Sequence, residues 1–125
     1  MRLYHWTCSH GFAGIGKRGL IRPHAIGVVW LTDDPTATRQ DLGLTSQIRP
    51  CDRMTFLYAV ETIAAVPWLE SDARARAPAD RVADLESFGK PSAWWVASKP
   101  VRGVLLRKKG KGKRRTRLRR PARLP

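Results

Sequence analysis

Gly27-Val28-Val29-Trp30-Leu31-Thr32-Asp33 is the stretch that decides the fold. Four consecutive large apolar residues read as a strand buried on both faces, and Asp33-Asp34-Pro35 breaks it at once. Working back from it, residues 20–24 form an extended connector, and residues 9–17 a helix with Ser9 as N-cap and Gly19 as its stop. Residues 3–7 are then an opening strand. Working forward, Thr36 or Thr38 caps a short helix before Gly43. Residues 52–60 alternate as a strand with Met54, Phe56, Tyr58 and Val60 on one face and their neighbours turned the other way. Asp80 caps a short amphipathic helix carrying Val82, Leu85 and Phe88 on one side. Residues 94–98 and 101–106 are a final strand pair or one bent strand, interrupted by Pro100. Strands mixed with short helices predict an α+β domain. The chain carries no internal repeat and no heptad pattern.

Charge divides the chain where apolar content ends. Of 24 Lys and Arg residues, 11 lie between positions 107 and 123, a stretch without one acidic residue; the rest of the chain keeps 13 against 10 acidic residues. The net charge of +14 is therefore a property of the end of the chain, and the body is an ordinary globular composition. The domain is read as residues 1–106 and the tail as residues 107–125. With Leu118 and Leu124 its only large apolar residues, the tail cannot offset its ordering entropy and is expected to be disordered when alone. Its cations, Arg107, Lys108, Lys109, Lys111, Lys113, Arg114, Arg115, Arg117, Arg119, Arg120 and Arg123, repel one another unless phosphates or acidic groups neutralise them. Nucleic acid is the expected partner, an acidic protein surface the next. The tail lacks the apolar face of an interfacial helix, so no membrane partner is expected.

Two cysteines, Cys8 and Cys51, are too few for a disulfide-built secreted fold. No signal-like apolar run opens the chain and no stretch approaches a membrane span. A cytoplasmic protein is expected. Cys8-x-His10 is too tight for paired zinc ligands, so no metal site is predicted. Of the two indoles of Trp94-Trp95, one should enter the core and the other cover a helix or the root of the tail.

The order of these signals resembles the ADP-ribosyltransferase fold of poly(ADP-ribose) polymerases, diphtheria-like toxins and DarT-type DNA ADP-ribosyltransferases, over residues 3–106. Leu3-Tyr4-His5-Trp6-Thr7, followed by Ile15, Gly19 and Leu20, resembles the family's opening strand with its His-x-Thr. Residues 27–33 resemble its Gly-x-Tyr-Phe-Ala-Asp strand, and Thr36-Ala37-Thr38 its Ser-x-Ser. Residues 93–101 resemble its closing Glu-Tyr-x-Val-x-Asp-x-x-x-Val strand. The resemblance implies a split mixed or antiparallel sheet with short helices and NAD as substrate. His5 and Thr7 would grip the riboses, the Trp6 backbone would hold the nicotinamide amide, Trp30 would pack beside nicotinamide, and Thr38 would bond its amide. The chain departs from the family at two places. Asp41 stands where a stacking Tyr is common, and Ala93 stands at the catalytic Glu.

That Glu matters because cleaving the nicotinamide–ribose bond develops oxocarbenium charge, which a carboxylate stabilises. Glu86 is the nearest replacement along the chain, with Glu61 and Glu70 behind it. The function implied is transfer of ADP-ribose to a nucleic acid, or to a protein bound to one, with the basic tail as recruiter. The alternatives are a non-enzymatic nucleic-acid-binding protein and a phage-type inhibitor using the same scaffold.

Overall fold

The computed structural model describes residues 1–42, 53–87 and 89–108. Gly43, Cys51, Asp52, Phe88 and the tail cations Lys109, Lys111, Lys113, Arg114, Arg115, Arg117, Arg119, Arg120 and Arg123 lie outside the described residues. The elements run β1 (Arg2–Thr7), α1 (Ser9–Ile15), β2 (Leu20–Ile21), β3 (Val29–Thr32), β4 (Phe56–Glu61), β5 (Val66–Pro67), α2 (Asp72–Arg76), α3 (Ala79–Glu86), β6 (Trp94–Ala97) and β7 (Val101–Lys108). Single 3-10 turns at Ala25–Gly27, Trp68–Glu70 and Pro91–Ala93 punctuate them. Strands and short helices alternate, so the α+β class predicted from the sequence holds.

The seven strands form one open sheet in the order β2-β7-β4-β1-β3-β6-β5, with every neighbouring pair antiparallel. β6 and β7 are separate strands that do not pair with each other. β6 pairs with β3 and β5, and β7 with β4 and β2, which corrects the expectation of a final pair or one bent strand. Four strand spacings of about 4.8 Å separate them in the sheet order, roughly 19 Å if the sheet were flat. The four steps from Ala97 to Val101 reach at most about 15 Å. The sheet must therefore roll, bringing β6 and β7 toward each other across its concave face. Ala97 and Val101 share one core cluster there with Leu3, Ile15, Ile21, Val29, Leu31, Phe56, Tyr58 and Val60.

The convex face carries a second cluster of Val28, Trp68, Ala73, Trp94 and Val96, against which Trp30, Val82 and Leu85 pack. Burial of such side chains supplies roughly 1.5–3 kcal/mol each. Trp68, fully buried, pins the α2–α3 layer to the sheet through tilted contact with Trp30, centroids 4.7 Å apart. Trp30 also meets Trp94 edge-on at 5.9 Å. Because both sheet faces are covered, Leu57 and Ala59 are as buried as Phe56, Tyr58 and Val60. The one-sided pattern predicted for this strand is a two-sided one.

Local chemistry moves several boundaries. Cys8, not Ser9, is the N-cap of α1, and Pro78, not Asp80, precedes α3. Residues 36–42 make turns instead of a helix. Residues 20–21 of the expected connector pair with β7. That pairing depends on Gly19, which has φ +69° and whose missing Cβ leaves room for the Gly103 carbonyl; Gly103 N–H donates to Gly19 O at 2.7 Å. β7 runs two residues past the predicted domain end, so Arg107 and Lys108 belong to a strand.

Candidate functional site

His5, Trp6 and Thr7 lie on β1, and Trp30 lies on β3 beside it. The β1–β3 ladder is registered at one pair, Tyr4 with Thr32, although both strands continue for three residues beyond it. Where the backbones part, the His5 ring reaches across: its Nδ1 stands 2.8 Å from the Trp30 carbonyl oxygen. A carbonyl only accepts, so Nδ1 carries the proton and donates, leaving the Nε2 lone pair of the neutral ring as an acceptor. Burial pushes the His5 pKa below its ordinary value. The bond to Trp30 opposes that shift and His24 adds to it.

Strand alternation divides the predicted site between the two faces. His5 and Thr7 follow Leu3 onto the concave face; Tyr4 and Trp6 point to the convex face, where Trp30 packs with Trp68 and Trp94. Trp30 is further tied by its indole N–H to Ala25 O at 3.1 Å, in a turn where Ile26 has φ +59°. Thr7 sits against Gly11 of α1, where an added Cβ would run into its hydroxyl oxygen.

Trp6 and Thr38 are brought together in one open cleft of about 430 Å³. Its walls are Trp6, Pro35, Thr36, Ala37, Thr38, Arg39, Met54 and Arg107. The 35–39 wall is fixed by side chains bonding nearby backbone. Asp34 Oδ1 accepts from Thr36 N–H at 2.9 Å and from its hydroxyl at 2.7 Å, which holds the Asp34 carboxyl below its usual pKa. Thr38 N–H donates to Asp41 Oδ2, and Asp41 N–H donates to Thr38 Oγ1, both at 3.1 Å. Asp41, which stands where the resemblance would set a stacking Tyr, is thus the partner that orients Thr38. Its carbonyl also accepts from Trp94 Nε1 and Lys90 N–H, each at 2.8 Å.

Glu86 is not at this cleft. Its carboxylate takes a fork from Arg74, Nε to Oε2 at 2.7 Å and Nη2 to Oε1 at 3.1 Å, and Trp68 Nε1 donates to Oε2 at 2.6 Å. The Arg74 hydrogen bonds, with smaller help from Trp68, hold its pKa below the usual carboxylate value. These contacts clamp α2, α3 and the Trp68 turn together. Glu61, at the far end of β4, bonds Arg2 at 3.1 Å, and Glu70 is exposed on the Trp68–Glu70 turn.

Ala93, which the resemblance sets at a catalytic Glu, is buried. Its carbonyl accepts from Asp33 N–H at 3.3 Å, and the exposed Asp33 carboxylate accepts from Trp95 Nε1 at 3.2 Å. The acidic residue whose backbone is tied to position 93 is therefore Asp33, 60 residues away in sequence and read from the sequence as a strand end with a turn or capping role in preference to half of an acid/base pair. The strand ends β3 and β6 bring the two together, a proximity that no local pattern signals.

Arg107 and Lys108 leave the sheet on opposite faces of β7, paired with Leu57 and Phe56. Arg107 lies 5.4 Å from the Trp6 ring centroid and Lys108 5.8 Å from that of Phe56, which itself stacks on Phe12. Among the described residues, no three His, Cys, Asp or Glu side chains converge as a metal site would require, and no helix is long and apolar enough to cross a membrane. Compared with protein-family models, curated proteins and solved structures, the chain finds no match in any of the three.

Proposed function

We propose that the chain is an ADP-ribosyltransferase-like protein of the cytoplasm, which binds NAD where β1 and β3 part and acts on nucleic acid, or a protein bound to it, gathered by the basic tail. One observation carries this reading. The three strands bearing the family-like motifs, β1, β3 and β6, are consecutive neighbours in the sheet, and His5 bridges the gap between the first two with its Nε2 left to accept from a ribose hydroxyl. Trp6 and Thr38 share a cleft; Trp6 lies on the opposite face of β1 from His5, so under this reading the cleft is left to the phosphates and not to the nicotinamide amide that the resemblance assigns to it. Trp30 acts from behind, stiffening β3 through its stack on Trp68.

For the chemistry, Asp33 is the better candidate for the carboxylate that stabilises developing ribose charge, because Glu86 takes three hydrogen bonds from Arg74 and Trp68 whereas the exposed Asp33 takes one, from Trp95. No step requires a metal. The occupied Glu86 and the alanine at 93 also favour a second reading, in which the same cleft binds without catalysis. Calorimetric titration with NAD separates these from each other and from error. His5→Ala is expected to weaken NAD binding at least tenfold in a folded protein, since a ribose hydroxyl would lose its acceptor. Asp33→Asn is expected to bind NAD as the parent does while transferring labelled ADP-ribose more slowly. NAD binding in the parent with no transfer under any acceptor supports the second reading. No NAD binding in the parent refutes both.

A further inference from the structure

The chain has five tryptophans, and four of their indole N–H groups have acceptors. Trp30 donates to Ala25 O, Trp68 to Glu86, Trp94 to Asp41 O and Trp95 to Asp33. The fifth, Trp6 Nε1, is buried and has no partner. A buried donor left unsatisfied is costly and marks a site where something else supplies the acceptor. Trp6 is also a wall of the cleft, and the other walls identify the kind of acceptor. Among the described residues they include two arginines, Arg39 and Arg107, and no acidic residue, the nearby Asp34 and Asp41 carboxylates being engaged by Thr36 and Thr38. Thr38 lends Oγ1 as acceptor to Asp41 N–H, so its hydroxyl proton remains to be donated into the cleft. A cation and a hydroxyl at an open space, with a buried indole N–H in its wall, are donors to an anion with several oxygens.

We infer that this cleft is a phosphate-binding site, in which Arg107, the Thr38 hydroxyl and Trp6 Nε1 share the oxygens of a phosphate ester. The inference rests on the functional reading above only for the source of that phosphate, the pyrophosphate of NAD or the backbone of a nucleic-acid strand. Position favours binding at this point over the tail at large. Arg107 is held by a strand paired to β4, so little further entropy is lost in placing its charge on an anion. Trp6 Nε1 is sealed from solvent. The exposed Arg107 side chain resting over the Trp6 ring is the group that turns onto the arriving anion and opens the way to the donor.

The test follows indole N–H resonances of the ¹⁵N-labelled full chain, with the Trp6 signal assigned by its loss in Trp6→Phe. The probes are inorganic pyrophosphate, NAD and a deoxythymidine oligonucleotide, each compared with sodium chloride at equal ionic strength. Saturating phosphate is expected to move the Trp6 resonance downfield while the four partnered indoles stay in place. Arg107→Gln is expected to weaken the response about tenfold, the equivalent of about 1.4 kcal/mol. Arg119→Gln, which removes the same charge from the tail, is expected to change it less than threefold. A response to oligonucleotide at much lower concentration than to NAD assigns the site to nucleic acid, and the reverse assigns it to the dinucleotide. Either supports the phosphate site. A Trp6 resonance that stays still under all three phosphates, that moves equally with chloride, or that responds equally in Arg107→Gln and the parent overturns it. A parent that fails to bind NAD yet shows the Trp6 shift with pyrophosphate and oligonucleotide removes the NAD reading and leaves this one standing.

Discussion

Replacing Glu86 by alanine distinguishes a structural carboxylate from a catalytic one. The substitution removes the acceptor 2.6 Å from Trp68 Nε1, and Trp68 is fully buried. Its indole cannot turn to water for a substitute. Leaving such a donor unpaired costs roughly 1–3 kcal/mol. The Arg74 side chain, 37% exposed, turns to solvent once its partner is gone, so its loss adds little. The expected cost is therefore about 2 kcal/mol, a fall in melting temperature on the order of 10 °C for a domain of this size. The effect has a pH signature. The folded-state pKa of Glu86 lies below its ordinary 4.5, so the carboxylate's contribution is fully present above that value and is lost as pH falls through the depressed one. Urea titrations of parent and variant should thus differ at pH 7 and converge in strong acid. Trp68→Phe, which removes the donor, should make Glu86→Ala markedly less costly in a double-mutant cycle. Unchanged stability together with lost ADP-ribose transfer would refute the clamp and return Glu86 to the chemistry.

Three further outcomes are expected. Because burial lowers the His5 pKa from 6.5, the unfolded chain takes up a proton that the folded one refuses; stability should decline as pH falls from 6.5 toward the folded value, and His5→Gln should flatten that slope in pH-resolved denaturation. Gly19→Ala combines a positive φ with a Cβ directed into the Gly103 carbonyl, so it should destabilise by about 2 kcal/mol or more, and a melting temperature within a degree of the parent would contradict the β2–β7 packing. If the cations between 107 and 123 neutralise about 6–10 phosphates, duplex affinity should fall roughly 10³–10⁵-fold between 50 and 200 mM salt with little dependence on base sequence, and a flat salt response would remove the tail as the nucleic-acid site.

Much of the local structure was legible in the sequence. The Val28-Val29-Trp30-Leu31 run, the opening strand at His5 and the amphipathic turn of Val82 and Leu85 follow from side-chain shape and spacing over a few residues. The concentration of charge beyond Leu106 is likewise a count along the chain, though β7 keeps Arg107 and Lys108 because pairing with β4 outlasts the apolar run. The candidate site was harder to read. His5, Trp6, Thr38 and Trp30 were picked out from their order, but alternation on β1 sends His5 and Trp6 to opposite faces.

Tertiary structure decided what sequence spacing could not. The short interruption at Pro100 suggested that residues 94–98 and 101–106 form a pair or one bent strand, whereas the rolled sheet sets β4, β1 and β3 between β6 and β7 in its order. Asp33 meets Trp95 across 62 positions, Trp94 meets Asp41 across 53, and Glu86 meets Trp68 across 18. These contacts set Asp33 against Trp95 and Ala93 at the end of β6 and hold Glu86 between Arg74 and Trp68. They also left one indole of five without an acceptor. Elements form from short-range backbone and side-chain preferences, which a sequence displays in order. Whether a polar group inside them is satisfied depends on which distant strand ends the closed sheet brings within hydrogen-bond reach.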